Sequence, residues 1–512
     1  MRFPGKAELL YCLGLALPVL APFLASWFCP HVSAAQVFQM SYAGVFSIFV
    51  LAPFLLIGLR TAAVISAVIF GLLGYLILFY INLYGVNISG TTVFVLFETN
   101  MAETNEYLDG YLELTFPFVL FLVSVAASLC AALWSAGRVD KKVLKKIGGI
   151  CTGAAVLSLL IPAGWRTFNE RNVFFMIGKQ YARYMESIRD YRAAAGVFPG
   201  PAVADRHKGA ETYVLVLSES INKSRLGLYG YRRDTTPELG AIGKELYSFN
   251  NASTTHAHTI PAVMDMISFP DGKTGKPVLW TQYLKKAGFK TFWLSNQQPV
   301  GITENLVAVI GESFDYKVFI NTVTSVNTSD TELFPYLNDA LNAPDEKKII
   351  VLHLMAAHTA YAQRYPPDYD RFKDDCGRLN PKQCRIYNEY DNALLFSDYI
   401  ARRIIEDVRG RGGRSAVLYF SDHGEDVYDS GDFYGHAEAM GTKYMMEVPL
   451  ILWLSEDYRR ENPAFTRNLK EYLGRPYRTD SLMHSIFDLA GVSFDGNRPD
   501  KSLFNPQFRP AP

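Results

Sequence analysis

AVLYFSDHGEDVYDSGDFYGH, residues Ala416–His436, sets an unbroken apolar run against a dense group of ionisable side chains. AVLYF reads as a buried strand. Asp422, His423, Glu425, Asp426 and His436 follow it within one loop. A solvated acidic loop accounts for the carboxylates, but not for an Asp-His pair placed where a strand ends. Outward from this stretch the same grammar recurs. YVLVLSES, KTFWLSNQ, KKIIVLHLM and VPLILWLS are further strand candidates, and IPAVMDMIS, LWTQYLKKAG and NEYDNALLFSDYIARRIIEDVRG between them have helical patterns. Strands rich in Val, Ile and Leu that alternate with helices predict an α/β domain with a mainly parallel sheet flanked by helices. Side chains at the carboxyl ends of such strands are where function gathers.

The chain has 512 residues and no formal net charge, which gives no case for nucleic-acid binding. Its first 165 residues are apolar and nearly free of charge. Five stretches in them approach the length needed to cross a bilayer: Ala7–Phe28, Tyr42–Leu59, Thr61–Asn82, Leu114–Ser135 and Ile147–Trp165. MRFPGK and Gly137–Lys146 are basic, Arg60 lies in the turn between the second and third stretches, and the loops Cys29–Ser41 and Leu83–Glu113 hold no Lys or Arg. That alternation predicts a cytoplasmic N-terminus and, in a bacterium, a periplasmic domain beyond Trp165. The expected division is a five-span transmembrane bundle at 1–165, a connector of amphipathic or linker helices at 166–206 and a catalytic domain at 207–512. Cys376 and Cys384 share one polar loop of the exported part, which reads as a local disulfide more readily than as a metal pair.

Several strand candidates end in metal-ligand chemistry: YVLVLSES near Glu219, IIVLHLMAAH at His358, and AVLYF at Asp422 and His423, with His436 one loop later. A glutamate at a strand end is ordinarily a surface charge, and a histidine there ordinarily packs. Several along one sheet edge indicate a site, and carboxylates with imidazoles suit Zn²⁺ or, less well, Mn²⁺. A hydroxyl nucleophile is expected nearby. Thr259 precedes Pro261 at the start of a helix, where free N–H groups favour a phosphate. N-capping is the plainer role for it, and Thr254 and Thr255 are rival hydroxyls.

The stretches LVLSESINKSRLGLYGYRRDTTPEL, HAHTIPAVMDMIS, LMAAHTAYAQRYP, CGRLNPKQCRIYNEYDNALLFSDYI and FSDHGED, in this order, resemble the bacterial phosphoethanolamine transferases. These are inner-membrane enzymes with a periplasmic domain of the sulfatase and alkaline-phosphatase type. The resemblance implies Glu219, Thr259, Asp422 and His423 as zinc ligands, with Thr259 as nucleophile. It implies His358, His436 and Glu425 around a second zinc or the substrate phosphate. In ETNMAETNEY, Thr99 and Glu103 match the family's substrate loop, although Val95 stands where an Asn is common. Expected partners are phosphatidylethanolamine as donor and a lipooligosaccharide core or lipid A, a glycan or a surface protein as acceptor. The lipid A-modifying members bracket the nucleophile with a disulfide; Thr255 and Asp265 occupy those positions here, which argues against lipid A. His256 and His258 are additional histidines whose role is open between contact with the donor phosphate and packing. A phosphoglycerol transferase, a membrane-anchored phosphodiesterase or sulfatase-like hydrolase, and a degenerate scaffold are the alternative readings.

Overall fold

Eight residues, ETYVLVLS, form the strand β1 (Glu211–Ser218) at the centre of the α/β domain. The protein is described from a computed structural model, which places residues 4–29, 32–34, 59–85, 88, 90, 92–93, 115–160, 173–196, 203–270, 274–299, 306–321 and 329–511. Among these, the main sheet has seven strands: β1, β2 (Leu246–Ser248), β3 (Lys290–Ser295), β4 (Tyr316–Phe319), β5 (Lys347–His353), β6 (Arg414–Ser421) and β7 (Leu450–Leu454). Their spatial order is β2-β7-β6-β1-β5-β3-β4. The five from β6 to β4 are parallel, and four of them lie on the predicted apolar runs. β7 and β2 are antiparallel additions at one edge, so the sheet is mixed there. β2 and β4, three and four residues long, carry no sequence run long enough to announce them.

Register aligns the working edge. Ser218 pairs with Ser421, Leu217 with His353, and His353 with Ser295. Four strands thus end at one level, and the residues just beyond them are brought together. Side chains of one sheet face, such as Val214, Ile350 and Val417, join a core with Leu394, Ala401 and Ile405 of a long helix. Burying each such aliphatic side chain contributes about 1.5–3 kcal/mol. Leu215, Leu217, Val351 and Phe420 turn to the other face, against Met266, Trp280 and Ile486.

The molecule divides into two compact units, of which the second includes everything from Met185 to the C-terminus. In the first unit α1 (Lys6–Ala25), α2 (Leu59–Tyr84) and α3 (Phe116–Ala136) lie on three segments long and apolar enough to cross a bilayer. Their contacts rely on small residues. A Cβ on Gly14 would lie 2.8 Å from the Ala132 Cβ, so glycine permits that approach. Arg60, expected in a turn, lies in the first turn of α2. The expected span at Tyr42–Leu59 falls outside the described residues apart from Leu59. α4 (Lys141–Leu160) starts inside the basic segment and covers the expected span from Ile147 to Leu160; Ile161–Trp165 lie outside the described residues.

The amphipathic connector forms α5 (Val173–Ala195). Its Ile188 and Tyr191 are buried against protein, and the Tyr191 hydroxyl lies 2.7 Å from Ser268 Oγ. Val203–Asp205, in the expected connector, pairs antiparallel with Val492–Phe494. Two further helices position the site: α6 (Thr259–Ile267) and α7 (Pro381–Arg411), which supplies Leu394, Ala401 and Ile405.

Candidate active site

Glu219 is the residue after β1, and Asp422 and His423 are the two after β6, so the sheet register alone places them side by side. All three are buried. One atom of each meets the others: Glu219 Oε1 lies 3.3 Å and Asp422 Oδ2 3.4 Å from His423 Nε2. Thr259, the first residue of α6, donates its hydroxyl to Glu219 Oε1 at 2.9 Å and stands 3.3 Å from His423 Nε2. The capping role is excluded, because His258 is the N-cap residue and Thr259 lies inside the helix. The Thr255 hydroxyl donates to Asp265 at 2.8 Å, and Thr254 Oγ1 accepts the His256 N–H. Of the three threonines, Thr259 is therefore the one whose hydroxyl meets the cluster; the Ser220 hydroxyl also donates to Glu219 Oε1, at 3.2 Å.

The remaining atom of each ligand candidate is tied elsewhere. Asp422 Oδ1 accepts the backbone N–H groups of Ser220 and His423. His423 Nδ1 donates to Gly424 O at 2.8 Å, which turns Nε2 toward the cluster. Glu219 Oε2 accepts from Gln297 Nε2 at 2.9 Å. This geometry needs Gly424: a Cβ there would lie 2.2 Å from the Tyr444 carbonyl oxygen.

A second group adjoins the first through His423, whose ring centroid is 4.1 Å from that of His436. His423, Glu425 and His436 are close enough to share an ion. Both Glu425 oxygens are hydrogen-bonded, however: Oε1 accepts from the Tyr361 hydroxyl at 2.5 Å and Oε2 from His436 Nδ1 at 2.6 Å. Glu425 thus orients His436 and leaves its Nε2 free. His358 lies within electrostatic reach of Glu219, Glu425 and His436, and its buried Nδ1 has no hydrogen-bond partner among the described residues. Burial, with the charge of Arg364, pushes it down to about 4.

Backbone strain gathers at the same edge. Among the described residues, the non-glycine positions with positive φ are Ser220, Ala356, Ala360 and Tyr428, in the loops after β1, β5 and β6. Buried partners hold them. Tyr390 of α7 donates to Ser220 O at 2.7 Å, and Asp330 accepts the N–H groups of Met355 and Ala356 at 2.9 Å.

The cluster fits a divalent cation. Asp422 Oδ2 is buried with no hydrogen-bond partner among the described residues, an arrangement that costs free energy unless a cation takes it up. Burial and the charge of Glu219 push Asp422 up to about 8 in the absence of an ion. Burial also opposes charge on Glu219, yet His423 holds it well below the usual carboxylate range. Two carboxylates, an imidazole and a hydroxyl suit zinc.

His256 does not face this cluster. Its Nδ1 lies 2.9 Å from Glu438 Oε1 and its Nε2 3.4 Å from Asp265 Oδ2; the two carboxylates raise it to about 9. Asp265 therefore links to both Thr255 and His256. His258 packs edge-on to His436, with centroids 5.3 Å apart, and burial, then the neighbouring His436 and His423, keep it well below the usual histidine value. Cys376 and Cys384 are joined in a disulfide. Thr99 and Glu103 lie outside the described residues. Gln297, Tyr361, Asp330 and Tyr390 were not singled out from the sequence; only the SNQ at the end of a strand candidate offered a signal, for Gln297.

The family model described as Sulfatase matches residues 211–492, and that described as Phosphoethanolamine transferase EptA/EptB matches residues 45–181. Phosphoethanolamine transferase EptC of Escherichia coli (strain K12) is 32% identical over 460 residues, 82% of this chain and 78% of that protein. The crystal structure of the C-terminal periplasmic domain of E. coli EptC in complex with Zn is 33% identical and has a TM-score of 0.58, covering 62% of this chain and 92% of that one. The integral membrane lipooligosaccharide phosphoethanolamine transferase A from Neisseria meningitidis shares the fold over 98% of both chains, with a TM-score of 0.67 and 20% identity.

Proposed function

Because the chain belongs to the phosphoethanolamine transferase family, with a sulfatase-like α/β domain and membrane-spanning helices, we propose that it moves phosphoethanolamine from phosphatidylethanolamine to a hydroxyl of a bacterial envelope acceptor by way of Thr259. The acceptor is a lipooligosaccharide core sugar or lipid A, a glycan, or a surface protein. The observation that supports this is the Thr259 hydroxyl, 2.9 Å from Glu219 Oε1 and 3.3 Å from His423 Nε2 at the start of α6.

Glu219, Asp422, His423 and Thr259 would hold one zinc ion; His358, His436 and Glu425 are the candidates around a second zinc or the substrate phosphate. Zinc bound there would acidify the hydroxyl and offset charge on phosphate oxygens. Thr259 Oγ attacks the phosphorus of the donor, and the bond to the diacylglycerol oxygen breaks. Phosphoethanolamine remains on Thr259 until an acceptor hydroxyl displaces it and restores the threonine. The helix start presents N–H groups to the transferring phosphate. His436, held through Nδ1 by Glu425, has Nε2 available for the proton of the acceptor hydroxyl. His358, buried and within electrostatic reach of Glu219 and His436, would neutralise phosphate oxygens or take the acceptor proton. Two half-reactions suit this pair of substrates, since lipid and acceptor then occupy the site in turn.

The chain is read as five spans within residues 1–165, a connector at 166–206 and a catalytic domain at 207–512. The N-terminus lies in the cytoplasm and the catalytic domain on the periplasmic side of the inner membrane, where Thr99 and Glu103 would meet substrate. Incubation with donor and no acceptor tests the reaction. A mass increase of about 123 Da, mapped to Thr259, is expected. A glycerol phosphate adduct, formed with phosphatidylglycerol and not with phosphatidylethanolamine, would move the chain to phosphoglycerol transfer, and no adduct with an active Thr259→Ala variant would remove the covalent step.

A further inference from the structure

The three buried ligand candidates differ in how their second atoms are tied. Asp422 Oδ1 accepts two backbone N–H groups and the adjoining Ser421 hydroxyl, and His423 Nδ1 donates to a backbone carbonyl. Glu219 Oε2 is held by a side chain, the amide of Gln297. A glutamate needs such a partner, because its terminal torsion is broad and two-fold and does not itself choose which oxygen faces the cluster.

Gln297 is well placed for this. It lies two residues beyond β3, in a segment fastened on three sides. Ser295 Oγ lies 3.1 Å from His353 Nδ1 and accepts the Gln297 N–H at 3.1 Å. Asn296 donates its amide to Asp330 at 2.7 Å. The Gln297 amide then gives one N–H to Glu219 Oε2 at 2.9 Å and the other to Leu354 O at 3.4 Å. A carboxylate and a carbonyl only accept here, so the amide nitrogen, not its oxygen, faces Glu219.

We propose that Gln297 is a positioning residue for the metal site: by occupying Glu219 Oε2 it makes Glu219 a one-oxygen ligand through Oε1, the oxygen that also receives the Thr259 hydroxyl. This rests on the metal reading of the site. Outer partners of metal ligands matter by about 10–100-fold in affinity. Without the Gln297 donor, Glu219 is free to turn and chelate with both oxygens, which draws Oε1 away from Thr259.

The test uses the full chain in detergent. Zinc affinity is measured by competition with a chromophoric chelator, and coordination by the visible spectrum of the Co²⁺-substituted protein. Gln297→Met keeps the length and removes the donor. Its zinc affinity is expected to fall by about 10–100-fold, with weaker Co²⁺ absorption as coordination number rises. Gln297→Asn keeps the amide but withdraws it from Oε2 and carries the same expectation, so the test does not depend on one variant folding. Gln297→Glu, which sets a carboxylate against Oε2, should lose more. Wild-type affinity and an unchanged Co²⁺ spectrum in either neutral variant overturn the positioning role while leaving the metal site standing. A wild-type protein that binds neither ion overturns both readings.

Discussion

Thr259 departs from what its place in the sequence suggests. A threonine before a proline at a helix start ordinarily caps, yet here the hydroxyl crosses to Glu219, 40 residues away. Thr259→Ala removes one hydrogen bond to a buried carboxylate, a cost of about 1–3 kcal/mol. Transfer should fall by on the order of 10³-fold or more, as for other covalent nucleophiles. Parallel assays of turnover and thermal unfolding check this; a variant that keeps most of its transfer activity excludes Thr259 as nucleophile.

His256 gives a second prediction at this scale, about pH. It is faced by Glu438 and by Asp265 of α6, and Arg478 acts in turn on Asp265. Its folded value, about 9, lies above the ordinary histidine value. Its stabilising contribution is therefore complete below about pH 6.5 and is lost as pH rises through about 9. Melting temperature should fall more steeply between pH 7 and 10 in wild type than in His256→Gln. Parallel pH curves for the two proteins would show that the His256 bracket adds nothing.

Among the elements, α7 does the most to connect distant parts. It begins with a capping box, Asn380 with Gln383, and Pro381 in its first turn. Over 31 residues it brings Tyr390 to the strained Ser220 turn and Asp391 to Arg225 and Arg233, at 2.7 Å each. Arg225 is buried and also meets Asp429, so this network ties the stretch after β1 to the loop carrying the DHGE residues. The disulfide Cys376–Cys384 closes a short loop onto the start of α7. In the chain-entropy picture a loop of this size contributes about 2–3 kcal/mol. Replacing both cysteines by serine should lower the melting temperature accordingly and leave zinc content unchanged, as elemental analysis would show. Loss of metal in the double variant would mean that the bond also shapes the site.

For the whole molecule, the decisive property is the side of the membrane on which chemistry occurs. The proposed orientation rests on the alternation of basic and non-basic loops. Reporters fused after Gly110 and after Ala210 should be active only as exported proteins. Activity of a cytoplasmic reporter at either point reverses the topology and removes access to a periplasmic acceptor.

The sequence by itself determined the α/β class, the strand ends that carry Glu219, Asp422 and His423, and the apolar segments of the first 165 residues. Those signals are local: an apolar run, the ligands that follow it, a span length and its flanking charges lie within about 20 residues. Tertiary structure decided what depends on distant pairing. Antiparallel β7 has the same apolar pattern as a parallel strand, and β2 is too short to register. Gln297 meets Glu219 across 78 residues, Tyr361 meets Glu425 across 64, and Tyr390 meets Ser220 across 170. The choice of Thr259 over Thr254 and Thr255 belongs here too. All three are threonines near one helix start, and only the packing of α6 against the sheet edge determines which hydroxyl meets the carboxylate and the imidazole.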